Sequence, residues 1–317
     1  MTEEKNQVRT NSKKYEYFVI FIPLIFWAFA FPFIKLGLQE LSPINLAILR
    51  LATACVIFLL IRLIKPSLFS PILKKDIIPL ILLGFIGIVI YHLGLNYGEQ
   101  YISPGAASLI IATIPVFVVI LAAIFLKERI SLIMILGIII SLTGVAIISL
   151  AGTPNASFEI TYLTAAFAVL IASIVGAIYT IAGKKMMNRY NPFSLTAYAF
   201  LFGSLGLIPF ISSSLLDQSI NLSLQGWFVI LFLGIFPTVI SYVFWYVALE
   251  IKNASELSSY LYIIPVLATI FSFIIFQDII TIFFILGGFL VIFGLYIVNR
   301  DRKLKKKPDL IVQNGEF

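Results

Sequence analysis

The stretch SPGAASLIIATIPVFVVILAAIFLKERISLIMILGIIISLTGVAI, residues 103–147, returns as NASELSSYLYIIPVLATIFSFIIFQDIITIFFILGGFLVIFGLYI, residues 253–297. A shift of 150 positions superposes the two without a gap. Pro115 falls on Pro265, Glu128 on Asp278, Gly137 on Gly287 and Gly144 on Gly294. Apolar matches mean little in such a chain. Matches of proline, glycine and acid mean more, because each residue type meets a backbone or charge requirement that others do not.

The copy extends towards the N-terminus. Gly84 matches Gly234 at the same offset. At an offset of 149, Pro43 pairs with Pro192, Lys35 with Lys184 and Ala28 with Ala177. The chain therefore divides into two related halves, 17–150 and 160–299, with a polar N-tail, 1–16, and a basic C-tail, 300–317.

Composition sets the solvent. Of 317 residues, 61% are hydrophobic and 12% charged, against about 25% charged in soluble domains. Lipid is the medium that tolerates so much apolar side chain. The sequence predicts an all-α integral membrane protein with ten transmembrane helices, at roughly 17–38, 42–63, 76–98, 103–126, 130–150, 160–182, 192–212, 225–248, 254–276 and 279–298. Ser42-Pro43 and Asn191-Pro192 each place a capping oxygen before a proline at the first helical position.

The net charge of +7 comes from residues at helix ends and termini, which read as topology signals and not as a nucleic-acid footprint. Twenty of the 22 Lys and Arg residues lie in the two tails and the even-numbered connections. Both termini are thereby predicted to be cytoplasmic, in the plasma membrane. Five helices per half then turn the second half upside down, giving an inverted-topology repeat. Such a pair makes a central cavity that opens to either side when the halves exchange conformations. The lone cysteine, Cys55, excludes an intrachain disulfide and a cysteine metal cluster. No metal site and no cofactor are expected.

Taken together, Trp27, Arg50 after Ser42-Pro43, and Pro115…Leu126-Lys127-Glu128-Arg129…Gly137…Gly144 with its copy resemble the drug/metabolite transporter superfamily, of the EamA type with two five-helix repeats. The resemblance covers about 17–299. It implies transport of small metabolites, often amino acids, through a cavity lined mainly by helices 1–4 and 6–9. The chain departs from the family at Gln277-Asp278, where Gly-Glu is usual, and at Glu256, where small residues are common.

Candidate substrate contacts follow from polar and aromatic groups inside the spans. His92, Asn96 and Glu99 share one face of the third helix, and the same shift places Tyr242 and Tyr246 on the eighth. Lipid tolerates such a face poorly, so it points to the protein interior or a wet cavity. Glu99 and Asn96 also suit an outer interface. Trp27 lies mid-span, and Tyr262 sits beside Pro265. Arg50 lies inside its span and reads either as a fork for a substrate carboxylate or phosphate, or as a structural partner of an interior acid or of free carbonyls. Lys35 and Lys184 are expected to snorkel to water. Pro32, Pro115 and Pro265 are the candidate bends for gating. The spaced glycines of the fifth and tenth helices read as packing surfaces and leave a homodimer open.

The expected partners are a small-molecule substrate and the lipid bilayer, with no nucleic acid. A membrane enzyme is the rival reading. The sequence offers one histidine, His92, and no Gly-x-Ser-x-Gly elbow, His-Glu-x-x-His pair or phosphate loop. An exporter of drug-like cations is a second alternative. His92 and Glu99 offer groups for proton coupling, and simple exchange fits equally well.

Overall fold

A computed structural model describes residues 2–126, 131–151, 160–252, 254–277 and 279–312. Helices account for its regular structure, and no strand occurs among the described residues. In chain order, α1 spans Thr2–Gly37 and α2 Pro43–Ile64. Next, α3 spans Lys74–Tyr101, and α4 joins Pro104–Ile111 to Ile114–Leu126. Then come α5, Leu132–Ala151, and α6, Ile160–Met186. The second half continues with α7, Pro192–Gly203, and α8, Leu224–Ile251. The ninth, α9, joins Ala254–Ser258 to Ile263–Phe276 through a tight turn of helix, and α10 spans Ile282–Val312.

Eight of these, all but α5 and α10, belong to stretches long and apolar enough to cross a membrane, α7 through its continuation as a tighter helix to Phe210. Among the described residues, α5 and α10 offer shorter apolar stretches, Leu132–Ile148 and Ile282–Gly294. The expected count of ten crossings is thus met by eight on length and composition. The outward surface is apolar, with Leu63, Leu132, Leu224 and Phe289 exposed, as a lipid-facing surface requires.

The helix starts follow the capping logic. Ser42 accepts from the Asn45 amide at 3.3 Å, and Asn191 from the Ser194 amide at 2.7 Å. At its N-terminal end α1 runs back through the polar tail, because no glycine or proline interrupts it before Pro23. It also continues through Pro32. Interruption falls instead at Ala112–Thr113 and at Ser259–Tyr262, just before Pro115 and Pro265, at equivalent places in the two halves. The missing amide of each proline removes one helical hydrogen bond there. A second matched irregularity lies in α3 and α8: both pass through a π-helical segment, Phe85–Ile90 and Gly234–Ile240.

The halves interlock. α1 packs on α8 and α9, and its counterpart α6 packs on α3 and α4. Their equivalent ends point in opposite directions. Lys35 lies with the end of α3, whereas Lys184 lies with the end of α8, beside the Lys252–Glu16 ion pair at the far end of α1. Both ammonium groups are held by main-chain carbonyls: Lys35 donates to Glu99 at 2.6 Å, and Lys184 to Lys252 at 2.7 Å. The expectation that they snorkel to water is corrected, because a helix C-terminus offers unpaired carbonyls and the negative end of its dipole.

The spaced glycines also find their role within one chain. A Cβ on Gly144 would lie 2.5 Å from the Gly287 carbonyl oxygen, and one on Gly294 would lie 2.4 Å from that of Gly137. α5 and α10 therefore press these faces together, and the faces that left a homodimer open are already covered. Glu128 and Asp278 lie outside the described residues.

The departure at Gln277 has a backbone consequence. Gln277 caps α9 in the left-handed region, φ 55° and ψ 36°, and is the one non-glycine residue with positive φ among the described residues. That conformation costs a side-chain-bearing residue about 1 kcal/mol. Gln277→Gly is expected to stabilise the protein by about that amount, read as a higher Tm in detergent or nanodiscs.

Candidate functional site

A cavity lies at the centre of the interlocked halves and leaves about 60 Å³ for the centres of water-sized molecules, room for about five waters or part of a small solute. Its wall repeats with the sequence. Trp27 and Gly176 both line it, as do Phe31 and Thr180, Leu95 and Trp245, Ile111 and Leu261, and Ile114 and Ile264. Each pair is related by the shift of 149 or 150 positions. The cavity therefore sits where the two halves meet symmetrically. Ile111 and Leu261 mark the broken segments of α4 and α9, and Gly87 marks the π-helical segment of α3.

Aromatic rings build one side. Tyr242 meets Trp27 edge-on at 5.6 Å, Tyr179 at 5.6 Å and Phe200 at 5.1 Å. Trp27 is fixed by its indole Nε1, which donates to the Pro237 carbonyl at 2.9 Å. That carbonyl belongs to the π-helical segment of α8, where a wider turn loosens the regular pairing.

Arg50 breaks the symmetry. Its counterpart at the 149 shift is Ala199. Arg50 is 2% exposed and reaches the cavity wall. Its Nε donates to Thr238 Oγ1 at 2.7 Å, and Thr238 in turn donates to the Leu233 carbonyl. Its Nη1 has no hydrogen-bond partner among the described residues. No ion pair to Arg50 occurs among the described residues, although Glu99, Tyr91 and Tyr242 lie within electrostatic reach. The reading of Arg50 as one half of a structural ion pair thus finds no carboxylate on it.

The expected site residues divide. Trp27, Arg50 and Tyr242 come together on the wall. His92, Asn96 and Tyr246 are fully buried behind it. Tyr246 donates to the Tyr179 carbonyl at 3.2 Å and stacks on its ring at 5.1 Å. Tyr262 is half-buried and off the wall, between the lining residues Leu261 and Ile264. Glu99, which also suited an outer interface, is fully buried. Tyr91, Tyr179 and Trp245 line the cavity and were not expected from the sequence. Trp245 had a signal: it is the repeat partner of Leu95 and lies one turn from Tyr242.

Comparison with known proteins places this architecture. The description EamA-like transporter family matches twice, over residues 14–150 and 163–300. The chain belongs to the EamA-like transporter family. An EamA-like relative from Archaeoglobus fulgidus, named an uncharacterized transporter, is 39% identical over 287 residues, covering 90% of this chain and 99% of its own. One from Streptantibioticus cattleyicolor, named a probable terminal-alkyne amino-acid exporter, is 30% identical over 279 residues, covering 88% and 91%. A solved crystal structure shares the fold, with a TM-score of 0.63 at 18% identity over 92% of this chain and 99% of its own. As an EamA-like protein the chain is a multi-pass membrane transporter of small molecules, and the central cavity is its candidate site.

Proposed function

We propose that this EamA-like protein carries small carboxylate-bearing metabolites, amino acids foremost, by alternating access around the central cavity. The observation that carries the reading is Arg50: a buried guanidinium on the wall whose Nη1 has no partner among the described residues. A carboxylate completes such a fork with charge-assisted hydrogen bonds. The aromatic wall of Trp27, Tyr242 and Tyr179 suits the apolar part of the solute. The relative named a probable terminal-alkyne amino-acid exporter supports the same class.

The proposal includes ten crossings, with α5 and α10 as a peripheral pair, and both termini in the cytoplasm. Polar latches then close each side. Towards the cytoplasm, Arg189 pairs with Asp76 at 3.0 Å, and Tyr190 donates to the same carboxylate. Towards the outside, Asn45 donates to Gln218 at 2.7 Å, and Ser223 donates through its hydroxyl and its amide to Glu40. Each latch joins the first half to the second, so opening one side separates the halves there. Breaks at Pro115 and Pro265 give α4 and α9 places to bend.

Counterflow in proteoliposomes preloaded with mixed amino acids and organic anions tests the reading. Saturable exchange of one carboxylate class is expected. Tyr242→Ala removes several ring contacts of about 1 kcal/mol each and is expected to lower exchange about tenfold or more. A well-folded preparation that exchanges none of these compounds, yet exchanges cationic drugs, would move the assignment to the cation exporter.

A further inference from the structure

Among the described residues, eight buried side-chain nitrogen or oxygen atoms lack a hydrogen-bond partner. Five of them belong to Arg50, His92, Asn96 and Glu99. The last three form the i, i+4, i+7 face of α3 that runs from behind the cavity wall to the end of the helix. His92 Nδ1 donates to the Ile88 carbonyl at 2.7 Å, leaving Nε2 unpartnered. Asn96 donates to the Pro43 carbonyl at 3.1 Å, leaving Oδ1 unpartnered. Both carboxyl oxygens of Glu99 are unpartnered at zero exposure. Leaving polar groups so is costly, and chance does not gather them on one line.

The second half is an internal control. Its residues at these positions are Tyr242, Tyr246 and Leu249. Lys184 is held by the Leu249 carbonyl as Lys35 is by that of Glu99. The lysine clamp therefore needs no carboxyl side chain. Glu99 is extra to the architecture.

We propose that Glu99 is a proton-binding site, and that one proton occupies it with each substrate carboxylate seated on Arg50. This rests on the Arg50 reading above. The charged groups facing Glu99 are Lys35 from α1 and Arg50 from α2. On α3 itself the further titratable groups are Tyr91, which is electrostatically coupled to Glu99, and His92 of the same stripe. Ala165 and Val169 of α6, which pack on the neighbouring Gly98, are apolar, and the first turns of α4 carry no titratable side chain. When ionised, the carboxylate has two cations within electrostatic reach. When a substrate carboxylate takes Arg50, a second anion enters the same buried region. Glu99 then takes one proton from the aqueous side onto a carboxyl oxygen, its charge rises from −1 to 0, and the proton leaves with the substrate at the other side. Proton and substrate bind together, so the coupling is symport, and by linkage each raises the affinity for the other. Lys35 and Arg50 would repel a metal cation from the same oxygens.

The test uses the full chain in proteoliposomes, with the membrane potential clamped at zero and the twenty L-amino acids as radiolabelled probes. The wild type is expected to accumulate a probe on the alkaline side of an imposed pH gradient, up to about tenfold per pH unit for one proton. At equal pH on both sides, its exchange is expected to fall as the pH rises, while Glu99→Gln is flat and accumulates nothing. Saturable exchange without gradient-driven accumulation would overturn the proton site and leave the Arg50 reading standing, as would a Glu99→Gln protein that accumulates like the wild type. Absence of exchange would instead overturn the amino-acid reading. Infrared difference spectra between acid and alkaline pH then decide the proton site alone: a carboxyl band lost in Glu99→Gln supports it, and identical spectra overturn it.

Discussion

Arg50→Ala is expected to abolish transport while leaving a folded protein. Among the described residues the guanidinium makes one side-chain hydrogen bond, to Thr238, and no ion pair. Its removal therefore orphans little of the fold. For a bound carboxylate the loss is large, because truncating one member of a buried, hydrogen-bonded charge pair costs about 2–5 kcal/mol. That is a fall in affinity of about thirtyfold to several thousandfold. Arg50→Lys keeps the charge and loses the planar fork, so it is expected to recover only part of the exchange. The check is counterflow beside size-exclusion profiles: a folded Arg50→Ala protein that still exchanges carboxylates would remove Arg50 from the site.

Gly84→Ala is expected to prevent folding of the bundle. A Cβ on Gly84 would lie 1.9 Å from the Ala199 carbonyl oxygen and 2.8 Å from Gly203 Cα. Both are backbone atoms of α7, so no side-chain rotation relieves the clash. Overpacking of a tight core costs about 1–3 kcal/mol where side chains can shift, and a backbone-to-backbone contact costs more. The expected result is little monodisperse protein, or a Tm lowered by many degrees. Gly288→Ala is the control: its nearest foreign atom is Leu109 Cδ1, at 3.4 Å, so it is expected to fold.

The duplication was legible because prolines and glycines sit where the backbone needs them. Pro115 and Pro265 do mark breaks, and Ser42 and Asn191 do cap α2 and α7. Trp27, Arg50 and Tyr242 were legible because mid-span polar and aromatic groups need an interior reason. His92, Asn96 and Glu99 were read as one face, with Asn96 and Glu99 left open to an outer interface; all three are buried, and the cavity takes Tyr91 and Leu95 beside them. One residue turns a helix by about 100°, and the π-helical segment before Tyr91 shifts the register that a regular helix would give. Tyr179 was hidden by composition, since a chain with 14 tyrosines and 29 phenylalanines marks no ring as special. The glycine seam could not be assigned to one chain or two, because close packing needs the same small residues in either case. The lysine clamps were misread because the free carbonyls come from a helix 64 or 65 residues away.

Exchange between the two halves is most directly tested by fastening them on the proposed outer side. Asn45 Nδ2 and Gln218 Oε1 lie 2.7 Å apart, within reach of a short reversible cross-link. The pair Asn45→Cys and Gln218→Cys, made in a Cys55→Ser background, would be cross-linked in proteoliposomes and counterflow measured before and after reduction. Transport that stops on cross-linking and returns on reduction is the predicted result. Full turnover with the two halves fastened would contradict alternating access.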